Sequence, residues 1–292
     1  MAETTGIQWC DATFNPWRGC TKVSPGCANC YAEVTSKRNP NVLGSWGPGG
    51  KRIVAAASYW RQPLKWNRDG LPCTCGADRT GPSAEAQDAD CPAKRRPRVF
   101  CASLADVFED RPELVEPRLR LWETIVQTPN LDWLLLTKRP ENFAELYPPA
   151  WTKKIPPNIW LGVSVEDQQR ADERIPILLQ TPAKVRFLSV EPLLGPVNLI
   201  RWLTPFHGSH AKHNGVDWVI VGGESGSHAR PCDVEWIRSI RDQCKAAGVA
   251  CFIKQLGAKP YEGLSVPVRL KDKKGGNVAE WPKPLAVRQF PA

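Results

Sequence analysis

Six short apolar runs recur along the chain from about residue 98 onward, and most are apolar throughout rather than alternating with polar residues. Continuous apolar runs of this length are typical of strands buried on both faces, as in a parallel sheet. An N-terminal run, GIQWC (6–10), predicts a further strand and brings the number to about seven. The six runs are RVFCASL (98–104), LDWLLLTK (131–138), NIWLGVSV (158–165), VRFLSV (185–190), DWVIVGG (217–223) and ACFIKQL (250–256).

Segments with helical periodicity separate these runs. Segments 167–181 and 233–248 are two of them, and in the second Asp233 is the expected N-cap and Gly248 the expected C-cap. A third covers 112–128, with apolar residues at helical spacing: Leu119, Trp122, Ile125 and Val126. Alternating strands and helices predict an α/β fold with right-handed crossovers and mostly parallel strands. We expect a partial (β/α) barrel, with a doubly wound open sheet as the alternative.

Two segments depart from this alternation. Residues 67–98 are rich in Gly, Pro, Ala and charge and lack periodicity, which is typical of an exposed insertion. Residues 271–292 are polar and rich in Lys and Pro, so we expect a loosely held C-terminal extension. The predicted organisation is one barrel domain over residues 1–270, interrupted by the insertion and followed by the extension.

Polar residues cluster at the point where each predicted strand ends. In a parallel barrel these ends share one mouth, where catalytic residues lie in nearly every enzyme of this architecture. We therefore expect a common active-site mouth. Its predicted residues are Ser103, Asp106, Thr137, Lys138, Arg139, Ser164, Glu166, Ser189, Glu191, Gly222, Gly223, Glu224, Ser225, Lys254 and Gln255.

Composition indicates the expected partner, the cellular location and the use of the cysteines. The chain has 292 residues and a formal net charge of +9, with basic clusters at 51–68 and 94–98, which favours a polyanionic partner such as nucleic acid. The N-terminus lacks the pattern of a secretory signal, and no 18-residue apolar run is present, so we expect a cytoplasmic protein without a membrane span. Eleven cysteines in such a chain indicate metal binding, redox chemistry or buried thiols rather than a disulfide framework.

Three cysteines stand close together in GCTKVSPGCANCYAE (19–33). Cys20, Cys27 and Cys30 form a C-x6-C-x2-C array. A structural zinc site is closed by four ligands, and Cys10 or a histidine would have to supply the fourth. A four-iron cluster normally takes four thiolates, so three would leave one iron open for a small-molecule ligand. Zinc and an iron–sulfur cluster both remain alternatives at this point.

A second cysteine group lies in the insertion. Cys73, Cys75 and Cys91 give C-x-C-x15-C, whose first spacing is shorter than zinc sites usually have. The alternatives are a second zinc site, for which Cys101 is a candidate fourth ligand, and free thiols in an exposed loop.

The first array resembles the cluster loop of radical S-adenosylmethionine (radical SAM) enzymes, which follows the first strand of a partial barrel. The commonest spacing in those enzymes is C-x3-C-x2-C with an aromatic residue before the last cysteine, whereas here the first gap has six residues and Tyr31 follows Cys30. A closer resemblance covers nearly the whole chain. It connects the chain to a phage-associated and bacterial family described as "phage protein", of unknown function and distantly similar to spore photoproduct lyase. The motifs that carry it are DATFNPWRGCTKVSPGCANCYAE, SLADVFED, DWLLLTKRPEN, WLGVSVED, VRFLSVEPLLGP, DWVIVGGESG and FIKQLG.

The resemblance implies a site. Cys20, Cys27 and Cys30 would bind three irons of a [4Fe–4S] cluster, and the amino and carboxylate groups of S-adenosylmethionine would chelate the fourth. Reductive cleavage of that cofactor would yield a 5′-deoxyadenosyl radical. Glu224 and Cys232 are the implied catalytic residues, with Cys232 as a hydrogen-atom donor. Lys138 or Arg139 would pair with the methionine carboxylate, and Ser164 and Glu166, or Ser189 and Glu191, would bind the ribose hydroxyls or the amino group. The other implied cofactor-binding residues are Ser103, Asp106, Gly222, Gly223 and Ser225.

Two functions from different classes follow. The first is a radical SAM enzyme that repairs or modifies nucleic acid or a nucleotide, with an electron donor such as flavodoxin or ferredoxin as its partner. The second is a non-catalytic, zinc- or cluster-stabilised nucleic-acid-binding protein of phage origin.

Overall fold

The computed structural model describes residues 5–71, 95–203, 215–263 and 266–291. The strands are β1 (Ala12–Thr13), β2 (Trp17–Arg18), β3 (Ile53–Val54), β4 (Arg98–Cys101), β5 (Asp132–Thr137), β6 (Ile159–Ser164), β7 (Val185–Val190), β8 (Trp218–Gly222), β9 (Cys232–Asp233), β10 (Ala250–Gln255), β11 (Pro260–Glu262) and β12 (Val266–Pro267). The helices are α1 (Tyr31–Ser36), α2 (Pro40–Leu43), α3 (Ala57–Asp69), α4 (Val115–Gln127), α5 (Phe143–Leu146), α6 (Pro149–Lys153), α7 (Gln168–Gln180), α8 (Ile200–Leu203) and α9 (Val234–Ala247).

The main sheet of the described chain has seven parallel strands in the order β1-β4-β5-β6-β7-β8-β10. It curls into a half-barrel flanked by helices, which confirms the predicted partial (β/α) barrel. The six apolar runs all form strands of this sheet. The predicted position of the first strand is wrong, because β1 pairs with β4 through Ala12 and Thr13 rather than through residues 6–10. Trp9 and Cys10 instead pack inside the barrel.

Side-chain alternation along the strands separates two apolar layers. Positions such as Leu135, Leu161 and Val219 face outward and share one core with helix residues. The intervening positions face into the half-barrel, where aromatic rings fill its floor: Trp9, Phe100, Trp160, Phe187, Trp218 and Phe252. Gly162 belongs to the inner row, and a Cβ on it would lie 2.5 Å from the Phe187 ring. Toward the carboxyl ends of β6 and β7, the next inward positions are the polar residues Ser164 and Ser189.

The sequence pattern predicted the ends of helix α9 correctly but the buried face of helix α4 only in part. In α9, the Asp233 side chain accepts a hydrogen bond from the backbone N–H of Glu235, and Gly248 closes the helix in the left-handed conformation, as predicted. Helix α4 buries Leu121, Trp122 and Ile125. However, Leu119 and Val126 are 51% and 56% exposed, so the predicted face of this helix was rotated from the true one.

The C-terminal segment packs against the half-barrel and is not the loosely held extension predicted from its composition. The backbone N–H of Ile253 donates to the carbonyl of Val287, and that of Gln289 donates to the carbonyl of Cys251, so the segment pairs with the edge strand β10. Leu285 is fully buried. The Phe290 ring lies 5.3 Å from that of Phe252, centroid to centroid, and extends the aromatic floor.

Several predicted features lie outside the described residues. They include Cys73, Cys75 and Cys91, and with them the possible second zinc site. Among the helices of the described ranges, none is both long and apolar enough to cross a lipid bilayer.

Candidate functional site

A single loop, residues 19–31, crosses the mouth of the half-barrel and touches the ends of four strands. We call it the cysteine loop. On the β5 side, a guanidinium N–H of Arg139 lies 3.7 Å from the sulfur of Cys20. On the other sides three hydrogen bonds hold it: the Ser24 hydroxyl to Glu166 after β6 (2.8 Å), the Asn29 amide to Glu224 after β8 (3.0 Å) and the Tyr31 hydroxyl to the Ser103 carbonyl after β4 (2.7 Å). The predicted polar clusters therefore meet at one mouth, beneath one loop.

Arg139 anchors the loop on the β5 side. Its side chain is buried and donates to Asp106 (2.9 Å) and to the carbonyl of Thr21. Asp106 also accepts from the Thr137 hydroxyl and the backbone N–H of Lys138. The Asp106 carboxylate thus binds both the Arg139 side chain and the turn after β5, and it holds the two in place.

A second buried ion pair lies beside Arg139. Arg52 donates to both carboxylate oxygens of Glu109 at 2.8 and 2.6 Å, and also to the hydroxyl of Thr21 at 2.7 Å. Glu109 is 3.6 Å from the Arg139 guanidinium. Buried charges of this kind need partners to offset their desolvation, and two arginines here face two carboxylates. Sequence reasoning missed Arg52 and Glu109, because nothing local marks two residues 57 positions apart as a pair.

Glu166 anchors the loop on the β6 side. Its side chain has no exposed surface, and besides Ser24 it binds Arg174 at 3.0 Å. The amino group of Lys138 lies 3.7 Å from Glu166 and donates to the Ser164 hydroxyl at 3.0 Å. The loop also presses directly on this carboxylate, because a Cβ on Gly26 would lie 2.3 Å from the Cγ atom of Glu166.

Glu224 anchors the loop on the β8 side. Arg230 donates to both of its carboxylate oxygens, at 2.7 and 3.0 Å, and to the carbonyl of Pro25 in the loop at 3.0 Å. Burial opposes ionisation of Glu224, but the hydrogen bonds from Arg230 and Asn29 outweigh it and lower the pKa of Glu224. The group is thus held as a carboxylate that ties the loop to the barrel.

Inside the mouth, polar side chains stand above the aromatic floor. Ser164 and Ser189 are buried and sit opposite each other in the register of β6 and β7. Lys254 donates to both carboxylate oxygens of Glu191, at 2.7 and 2.9 Å. This inner layer offers hydroxyl, ammonium and carboxylate groups to a polar ligand.

The two glycines at the end of β8, Gly222 and Gly223, have a packing role. A Cβ on Gly223 would lie 2.3 Å from the carbonyl oxygen of Leu256, and one on Gly222 would lie 3.1 Å from that of Gln255. The Gln255 amide donates to the Gly223 carbonyl at 2.8 Å. These glycines therefore let the end of β8 approach the end of β10 closely. The half-buried Ser225 lies two residues after Gly223.

The three loop cysteines differ from the other described cysteines in exposure. All the described cysteines are free, and Cys20, Cys27 and Cys30 are half-buried whereas the rest are buried. Burial raises the pKa of the Cys20 thiol to about 12, while the charge of Arg139 acts in the opposite direction. Within the described ranges, no group of three or more His, Cys, Asp or Glu side chains is placed to hold a metal ion. The three thiols therefore lie in one loop at the mouth, but their sulfurs do not form a metal-ligand group there.

Cys232 lies in the core. Its side chain is 1% exposed, its sulfur is 3.8 Å from the carbonyl of Asp233, and burial raises its pKa to about 12. Cys232 packs in the apolar core rather than in the open mouth. Its role as a hydrogen-atom donor stays a prediction.

A family model described as a protein of unknown function (DUF5131) matches residues 4–280. The chain belongs to this family. The DUF5131 match contains the cysteine loop and every strand of the half-barrel, so loop and mouth are parts of one family unit. Comparisons with curated proteins and with solved structures find no match.

Proposed function

We propose that this DUF5131 protein is a radical SAM enzyme whose cysteine loop holds a [4Fe–4S] cluster at the mouth of the half-barrel. One observation carries the proposal. Three half-buried thiols lie in a single loop, and side chains from the ends of the strands hold that loop over the mouth.

The donor chemistry fits this group. Thiolates of Cys20, Cys27 and Cys30 would bind three of the four irons and leave the fourth for a small chelating ligand. When bound, the cluster and S-adenosylmethionine supply the electron transfer that starts radical chemistry, while the protein binds and orients them.

The two neighbouring cations after β5 would take different roles. The side chain of Arg139 is 7% exposed and already donates to Asp106 and to the loop, whereas the side chain of Lys138 is 23% exposed. Lys138 is thus the better candidate to bind the cofactor's carboxylate, by a charge-assisted hydrogen bond. The hydroxyls of Ser164 and Ser189 lie on the inner layer beside it and suit the ribose or amino groups.

The cysteine loop would also keep water from the reacting groups. It lies over Glu166 without room for a Cβ at Gly26, and below the mouth aromatic rings close the floor of the half-barrel. Excluding water protects reactive intermediates from side reactions.

The proposed setting is the cytoplasm, and the proposed substrate is a nucleic acid or a nucleotide. The free thiols of the described cysteines are consistent with a reducing compartment. The net charge of +9 supports a polyanionic substrate. The reaction also needs an electron donor such as flavodoxin or ferredoxin.

Reductive cleavage of S-adenosylmethionine tests the proposal. Protein reconstituted with iron and sulfide without oxygen, then given S-adenosylmethionine and dithionite, should form 5′-deoxyadenosine and methionine, and the Cys27→Ala variant should form neither. The matched control removes Cys73, Cys75 and Cys91 together and should keep the activity. Equal product from wild type and Cys27→Ala would refute the proposal. Deuterated oligonucleotides and peptides then identify the substrate class, because abstracted deuterium appears in the 5′-deoxyadenosine.

A further inference from the structure

Arg139 gives one of the three loop thiols a charged hydrogen-bond partner. Its guanidinium is fixed by Asp106, by the carbonyl of Thr21 and by the nearby Glu109, and one of its N–H groups lies 3.7 Å from the sulfur of Cys20. Sulfur is a large acceptor, so N–H to sulfur contacts are longer than those to oxygen. The polar contact of Cys27 is different, since its sulfur meets the neutral hydroxyl of Ser24 at 3.8 Å.

The surrounding charges are balanced before any metal binds. Arg52 and Arg139 carry two positive charges, and Asp106 and Glu109 carry two negative ones, all on buried side chains. A thiolate at Cys20 would add a negative charge that faces Arg139. Electrostatic interactions in such buried surroundings are stronger than in water. Hydrogen bonds to the sulfurs and local charge are among the factors that set the reduction potential of an iron–sulfur cluster.

We propose that Arg139 is a positioning residue that donates a hydrogen bond to the Cys20 thiolate and raises the reduction potential of the cluster bound there. The inference rests on the proposed function. In the reduction the cluster gains one electron from dithionite or a protein donor, and no covalent bond of the protein forms or breaks. The reduced cluster carries one more negative charge than the oxidised one, so a fixed cation and its N–H stabilise the reduced form more.

The test is the midpoint potential of the reconstituted cluster, measured by redox titration without S-adenosylmethionine. Arg139→Gln should lower the equilibrium constant for one-electron reduction about tenfold, a shift of about 59 mV to more negative potential. The control is Arg230→Gln, because Arg230 binds the loop through the Pro25 carbonyl rather than through a thiol, and its shift should be smaller.

For a second variant we expect a shift of the midpoint potential in the opposite direction. Asp106→Asn removes the carboxylate that offsets Arg139, so it should shift the potential to more positive values, and this holds even if Arg139→Gln does not fold. Potentials unchanged in both variants, or a shift no larger than that of Arg230→Gln, would overturn the inference while leaving the proposed function intact. Wild-type protein that binds no iron would instead overturn the proposed function, and this inference with it.

Discussion

At the scale of single residues, the six-residue gap between Cys20 and Cys27 carries contacts that seat the loop. Ser24 and Gly26 lie within this gap and meet Glu166, and the carbonyl of Pro25 accepts from Arg230. The additional length therefore carries the chain from Arg139 across to the ends of β6 and β8. The sequence predicted the strand-end carboxylates but not their partners, because Ser24 and Glu166 are 142 positions apart and local pattern specifies no pair at that separation.

Replacing Gly26 with alanine tests this contact. The added Cβ would lie within 2.7 Å of three Glu166 atoms, and Glu166 is held by Arg174 and has no exposed surface into which to move. We expect Gly26→Ala to lower the free energy of unfolding by about 1–3 kcal/mol, the usual range for overpacking, as measured by urea denaturation. Gly49→Ala is the matched control, since a Cβ there meets nothing within 4 Å. Equal unfolding free energies for the two variants would show that the loop does not rest on Glu166.

At the scale of elements, the strands and helices that the sequence predicted correctly are those marked by signals within the element itself. Strands β5 to β8 were predicted from continuous apolar runs, and α9 from its two caps, because each signal acts within one element. Strand β1 is only two residues long, and the apolar residues before it pack in the barrel floor, so apolar content alone misplaced it. The buried face of α4 was predicted wrongly because two apolar stripes of this helix share Trp122 and Ile125. One stripe also contains Leu119 and the other Leu121, and only tertiary packing decides which one is buried.

The C-terminal segment offers a direct test at this scale. Leu285 is fully buried against the barrel core, so Leu285→Ala should lower the free energy of unfolding by about 2–5 kcal/mol through lost burial and a cavity. Val266→Ala is the control, because Val266 is 64% exposed and should change stability by no more than about 0.5 kcal/mol. The measurement is chemical denaturation followed by tryptophan fluorescence. A Leu285→Ala effect as small as the control's would mean that the segment is loosely held after all.

At the scale of the whole molecule, the half-barrel explains why residues far apart in sequence form one site. Parallel strands in sequence order place every carboxyl end at the same mouth, so the polar residues that follow them converge without any local signal. This convergence was predictable from the sequence. The way the cysteine loop closes over the mouth was not, since it depends on Asn29, Arg52 and Arg230, whose partners only the folded chain brings close.

The iron and acid-labile sulfide content of the anaerobically reconstituted protein tests the central claim most directly. The account predicts about four irons and four sulfides per chain for the wild type. It predicts almost none for the folded triple variant Cys20→Ala/Cys27→Ala/Cys30→Ala, and undiminished iron for Cys73→Ala/Cys75→Ala/Cys91→Ala, which removes as many thiols. Wild-type protein that is colourless and holds one zinc in place of iron would contradict the account and favour the zinc-stabilised binding protein. Iron retained in full by the first triple variant would contradict it as well.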